Sequence, residues 1–128
     1  MSYDYDDGNV FARILRGEIP NDTVHETRHS LAFRDVRPQA PKHVLVIPKG
    51  AYVTFDHFAA EASDEELVDF MRAVAEVCRI TAVTEGGADA PAGWRAIANA
   101  GEAAVQEVPH FHLHVLAGRP LGRMLDPA

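Results

Sequence analysis

His110-Phe111-His112-Leu113-His114-Val115-Leu116 sets three histidines two residues apart, in alternation with apolar residues. Alternation at period two is the pattern of a half-buried β-strand, because successive side chains leave opposite faces. The spacing predicts a strand from His110 to Leu116, with the three imidazoles on one face and Phe111, Leu113 and Val115 packed on the other. Roughly 6.5–7 Å separates side chains two residues apart on a strand, so one small anion could touch the row. Three chemistries fit such a row. Neutral imidazoles suit zinc or copper, although no carboxylate or cysteine close in sequence completes a ligand set. Backbone and solvent could satisfy the ring nitrogens in a structural role, which is ordinary for one histidine and unusual for three in register. Alternatively, one imidazole attacks phosphorus while its neighbours donate hydrogen bonds to the phosphate oxygens and manage the protons. Spacing alone does not choose between the metal and the phosphoryl readings.

The rest of the chain limits the setting. Its 128 residues suit one domain with one core, and 47% hydrophobic against 24% charged residues is an ordinary globular balance. A formal net charge of -7 argues against long nucleic acid as a partner, which needs a basic surface. The single cysteine, Cys78, excludes an intramolecular disulfide and a cysteine-rich zinc site, and its apolar neighbours predict a core position. No apolar run reaches the length of a membrane span, and the acidic start does not resemble a basic signal peptide. A soluble cytoplasmic protein is the expectation.

The elements that must position the histidines can be read in order. Met1 to Gly8 carries Asp4, Asp6 and Asp7, and reads as a flexible acidic tail before a single domain over 9–128. Asn9 can cap a short helix from Val10 to about Arg16, closed by Gly17 and Pro20. Thr23–Glu26 and Ser30–Phe33 read as a hairpin, and His43–Ile47 as a central strand ended by Pro48-Lys49-Gly50. Ser63-Asp64-Glu65-Glu66 is a capping box. It opens a long helix whose apolar face holds Leu67, Phe70, Met71, Val74, Val77 and Cys78. Glu85–Pro91 reads as a flexible loop, Trp94–Ala98 as a strand, Asn99–Pro109 as a loop, and Gly118–Ala128 as a tail that wraps rather than packs. The expected fold is α+β, in the order α-β-β-β-α-β-β, with two helices on a mostly antiparallel sheet of about five strands.

The histidine motif resembles that of the histidine triad (HIT) family, His-x-His-x-His followed by apolar residues. The likeness extends to Phe11-Ala12-Arg13-Ile14-Leu15-Arg16-Gly17-Glu18-Ile19-Pro20 and to Leu31–His43 with Val44–Pro48, covering about Val10 to Arg119. The ending Leu116-Ala117-Gly118-Arg119 is more similar to the histidine triad nucleotide-binding (Hint) branch than to the fragile-histidine-triad branch. The resemblance implies a nucleotide hydrolase or transferase that needs no metal and no other cofactor. It would act on purine nucleoside 5'-phosphoramidates, bind purine nucleoside monophosphates, and form a homodimer. It implies that His112 attacks the α-phosphorus, that His114 and His110 assist with backbone N–H groups near Asn99-Ala100-Gly101, and that His43 contacts the triad. Asp35 would bind the ribose hydroxyls, and Phe11, Ile14 and Phe33 would line the base pocket. Asn99, Gly101 and Gln106 would lie near the ribose and phosphate. From residues alone Asp35 is a solvated turn aspartate, and the three apolar residues are plain core.

Two positions depart from the family pattern. Val105 stands where relatives often carry glycine, and Glu107 where the best-known members carry serine near the leaving group. A β-branched residue restricts the loop, and a carboxylate must turn outward or meet a basic leaving group. His25, His29 and His57 match nothing functional and are expected as solvated surface histidines. Three rivals remain: hydrolysis of dinucleoside polyphosphates, a nucleotide-binding or scaffold protein whose hydrolysis is incidental, and a metal-binding protein that uses the same histidines.

Overall fold

The structure is a computed structural model that describes residues 3–82 and 92–127. Helix α1 (Val10–Leu15) is followed by strands β1 (Thr23–Glu26), β2 (Ser30–Arg34) and β3 (Lys42–Pro48). Helices α2 (Phe55–Glu61) and α3 (Asp64–Thr81) come next, then β4 (Trp94–Ala98), a 3₁₀ turn (Glu102–Ala104) and β5 (Leu113–Ala117). The five strands form one sheet in the order β1-β2-β3-β5-β4, every neighbouring pair antiparallel. The expected α+β fold is therefore present. The expected Glu85–Pro91 loop lies outside the described residues.

The sheet is covered on both sides along β3, which is why six of its seven residues are buried and Val44–Pro48 reads as an unbroken apolar run. Val44 and Val46 face α3, with Ala32, Phe58, Phe70, Ala73, Val77, Phe111 and Val115 in the same cluster. The alternate residues Leu45 and Ile47 face the other way, against Phe11, Leu31 and Phe33. Burying a phenylalanine such as Phe70, 1% exposed, contributes about 1.5–3 kcal/mol. The cap predictions hold: Ser63 and Glu66 complete the capping box, and the Asn9 side chain accepts from Ala12 N–H. Gly17 takes φ 79°, the left-handed turn that ends α1.

Four differences have physical causes. The helix count is three rather than two, because α2 is a seven-residue turn capped by Thr54 and fixed by one deeply buried aromatic, Phe58. So short a segment shows no periodicity. On α3 the buried stripe is Phe70, Ala73, Val77, Cys78 and Thr81, while Met71 is 61% exposed. Met71 lies about 100° around the helix from Phe70, beyond the strip the sheet covers. The histidine segment is strand only from Leu113 onward, so His110 and His112 precede the ladder. Their backbone is held instead by Phe111 N–H donating to Tyr52 O at 2.7 Å. Finally, Tyr3 and Tyr5, in the segment read as a loose tail, pack on His57 and His110.

His57 is also not a surface histidine. It is buried, accepts at Nδ1 from Val53 N–H (2.9 Å) and meets Glu61 through Nε2 (2.7 Å). His25 and His29 are half-buried, the latter 3.2 Å from Glu65 Oε1. The C-terminal segment wraps, as expected: it is largely exposed and held where Arg95 donates to Gly122 O and Arg123 O.

Candidate active site

Strand register brings two distant histidines together. His43 on β3 lies opposite Leu116 of β5, and His114 opposite Leu45. The imidazoles are thus diagonal neighbours on the face away from α3, within reach of each other. Their nitrogens, His43 Nε2 and His114 Nδ1, are 2.9 Å apart. The neighbouring groups fix where the protons sit. Gln39 N–H donates to His43 Nδ1 (3.0 Å), so the proton of neutral His43 is on Nε2 and is donated to His114 Nδ1. His114 therefore carries its own proton on Nε2. Asp35 Oδ2 lies 3.5 Å from His43 Nε2, and Asp35 Oδ1 accepts from Arg37 N–H (2.9 Å) in the turn after β2.

The same reasoning orients His112. Its Nδ1 is 2.8 Å from the carbonyl oxygen of His110, which only accepts, so Nδ1 carries the proton and Nε2 keeps its lone pair. Among the described residues Nε2 has no protein partner, and His112 lines a cleft. Phe11 stands edge-on to the His112 ring at 5.0 Å, as does His114 at 5.0 Å.

His110 departs from the expected row. It is fully buried, and both ring nitrogens are taken: Nε2–H donates to Pro48 O (2.8 Å), and Nδ1 accepts from the Tyr5 hydroxyl (2.6 Å). Period-two alternation places it beside His112, but the chain turns before the strand begins and carries the ring behind the site. What His110 presents to the site is its carbonyl. Tyr5, Pro48 O and the Gln39 amide are the supports that the sequence did not single out. Tyr5 carried no signal beyond being aromatic in an acidic segment.

Burial keeps these imidazoles neutral. It lowers the pKa of His110 to about 4, with the bond to Pro48 O opposing and His112 adding to the effect. It lowers His114 to about 4, helped by the neighbouring His112 and His43 and opposed by Asp35. His112 is lowered by burial against the pull of the His110 carbonyl, Asp35 and Glu107, and His43 by burial against Asp35. A neutral imidazole with a fixed tautomer and a free lone pair is a nucleophile at pH 7.

The cleft has a volume of about 1030 Å³, and its walls divide by chemistry. Phe11, Ile14, Phe33 and Leu45, which pack in one cluster, form an apolar half. Asp35, Asn99, His112 and His114 border the other half, together with Arg34, Arg37, Val105 and Glu107. His43 stands behind His114. Gln106 is turned away from the cleft: its Oε1 accepts from Gly101 N–H (2.9 Å), and its Nε2 donates to Val53 O (2.7 Å) and Val108 O (3.0 Å). It staples the loop shut and occupies the Gly101 amide. Val105 sits in the left-handed region at φ 58°, ψ 47°, where a glycine would be free of strain.

Asp35, His43 and His114 offer ligand atoms within 4.8 Å of one another, a possible metal set. The donor chemistry does not fit. A metal on His43 Nε2 needs the ring proton on Nδ1, where the Gln39 N–H already points. His43 would have to bind as an imidazolate, so these atoms suit a proton chain better than a cation.

Known proteins share this sequence and fold. The sequence matches the HIT domain over residues 16–121. An uncharacterised 13.2 kDa HIT-like protein of Azospirillum brasilense is 56% identical over 125 residues, 98% of each chain. The purine nucleoside phosphoramidase of Escherichia coli K12 is 40% identical over 116 residues, 91% of this chain and 92% of that one. A Hit-like protein from Bartonella henselae superposes with a TM-score of 0.74 at 34% identity, over 91% of this chain and 84% of that one. With its fold, its histidine cleft and these relatives in agreement, the chain belongs to the histidine triad (HIT) family.

Proposed function

We propose that this protein hydrolyses purine nucleoside 5'-phosphoramidates through a nucleotidyl-histidine intermediate on His112. The observation that carries the reading is the His112 tautomer: Nδ1–H is held by the His110 carbonyl, and Nε2 is left as a lone pair at the cleft wall. In the first step Nε2 bonds to the α-phosphorus as the P–N bond to the leaving amine breaks. The electron pair stays on the amine nitrogen, which takes a proton from solvent. The positive charge that develops on the His112 ring is met by the His110 carbonyl. His114 Nε2–H is placed to donate to a phosphoryl oxygen. In the second step water attacks phosphorus, the P–Nε2 bond breaks, the lone pair returns to His112, and the water proton leaves to solvent.

The apolar half of the cleft takes the purine, and Asp35 accepts from the ribose hydroxyls. Nothing in this sequence of steps calls for a metal, and the fixed tautomer of His43 supports a metal-independent reaction. The similarity to the Escherichia coli phosphoramidase supports the substrate class. The homodimer implied by the family likeness belongs to the same proposal, and sedimentation of the purified protein tests it. For the reaction the test is AMP release from adenosine 5'-phosphoramidate by wild type and His112→Ala. Turnover in the wild type with loss of more than about 10⁴-fold in the variant is expected. Comparable turnover in both would remove His112 from the mechanism.

A further inference from the structure

The segment before α1 reaches the catalytic histidine through one other residue. Tyr3 stacks on His57 of α2, with ring centroids 4.5 Å apart at 7°. Asn9 Nδ2–H donates to Asp6 O (2.7 Å), and Arg16 donates to Asp7 O (2.7 Å), so the strap is tied at its other end to α1. Between these anchors the Tyr5 hydroxyl meets His110 Nδ1 at 2.6 Å, and its ring stands edge-on to His110 at 5.6 Å. Because His110 Nε2–H is committed to Pro48 O, Tyr5 must be the donor. The His110 ring is thus clamped from both nitrogens, and the carbonyl of this same residue holds His112 Nδ1–H.

Resting on the reaction proposed above, we propose that Tyr5 is a positioning residue for catalysis: its hydroxyl locks His110, and through the His110 carbonyl it sets the tautomer and aim of His112. Without the hydroxyl, the buried Nδ1 has no donor. The ring can then move toward another partner or adopt the Nδ1–H tautomer, which breaks the bond to Pro48 O. Either response shifts the carbonyl that His112 depends on. A misaimed nucleophile slows transfer without weakening nucleotide binding, because Tyr5 does not line the cleft.

The test is Tyr5→Phe, which keeps the ring and removes the donor, with Tyr3→Phe as a control on the same strap. Three quantities are measured in the full chain: the single-turnover rate of adenylyl transfer from adenosine 5'-phosphoramidate, the Kd for AMP, and the ring ¹⁵N shifts of His110 and His112. For Tyr5→Phe the transfer rate should fall roughly 3- to 10-fold, the loss expected for one hydrogen bond. The AMP Kd should stay unchanged and the His110 Nδ1 resonance should move. Tyr3→Phe should match wild type. A Tyr5→Phe rate equal to wild type, a loss shared equally by Tyr3→Phe, or a loss explained by weaker AMP binding would each overturn the proposal. If the wild type transfers no adenylyl group, the reaction fails instead. The ¹⁵N shifts then still decide the Tyr5–His110–His112 linkage: unmoved shifts refute it and moved shifts support it.

Discussion

Acidification should unfold this protein through its buried histidines, and His110 allows the size to be worked out. In the folded chain its pKa is about 4, against an ordinary 6.5. A folded pKa below the unfolded one means that the unfolded chain binds the proton more readily. The stability is therefore complete above about pH 6.5 and is lost as pH falls toward 4. At about 1.4 kcal/mol per pKa unit, the difference amounts to about 3 kcal/mol, of which between about 2 and 3 is lost by pH 4.5. A small domain has only about 5–15 kcal/mol in total. His112, His114 and His43 are lowered in the same direction, which steepens the loss. Asp69 and Glu66, whose pKa values are also lowered, lose their contribution over the acid range in the same sense. A difference between two proteins isolates His110. Urea unfolding of wild type and His110→Gln, at one protein concentration, is compared at pH 7.5 and pH 4.5. Glutamine offers an amide donor for Pro48 O and an oxygen to accept from Tyr5, and it does not titrate. The variant should be the less stable at pH 7.5, yet lose about 2–3 kcal/mol less than wild type on acidification. An equal loss in the two proteins would show that burial of this ring is not what opposes its protonation.

Three further outcomes follow from the cleft. Val105→Gly removes a β-branched residue from the left-handed region, a strain of about 1–2 kcal/mol, against a glycine entropy cost of about 0.5–1 kcal/mol. Since Val105 is 71% exposed and gives up little packing, urea unfolding should show a gain of up to about 1 kcal/mol, and a loss would contradict the strain. Glu107 borders the cleft near His112, so Glu107→Ser should lower kcat/KM for phosphoramidates with a cationic amine leaving group, by roughly 3- to 10-fold, relative to a neutral one. An unchanged ratio would mean the carboxylate is turned away. Asp35→Asn should weaken AMP by roughly 10-fold and 2',3'-dideoxy-AMP hardly at all, as measured by calorimetry, if the carboxylate accepts from the ribose. Equal weakening of both would take that role away.

Much of this site is readable in the sequence, and what is not has a physical reason. The strands as separate segments and the Asn9 and Ser63 caps follow from local rules, because each depends on residues close in sequence. The face shared by His43 and His114 also follows once β3 and β5 pair. The place of His110 does not. Alternation describes a strand, and the strand starts three residues later, so a rule of local geometry was extended past the end of its element. The Tyr5 contact spans 105 residues, and the segment's aspartates mask it, since composition reports average solvation and not one hydroxyl. Gln106 shows the reverse problem. It is expected near the phosphate, but its amide is used up by Gly101, Val53 and Val108, which only the hydrogen-bond partners reveal. Met71 fits the helical period of the apolar face yet stays exposed, because periodicity gives the direction of a face and not its width.

The central claim is that the His112 Nε2 lone pair takes the nucleotidyl group. The most direct measurement mixes untagged protein with adenosine 5'-phosphoramidate in excess EDTA. The reaction is quenched in alkali within the first turnover, and the chain is mapped by mass spectrometry. One adenylyl group on His112, absent from His112→Ala and formed as fast as the amine is released, is the predicted result. Amine release without any adduct on His112, or an adduct on another residue, would contradict it.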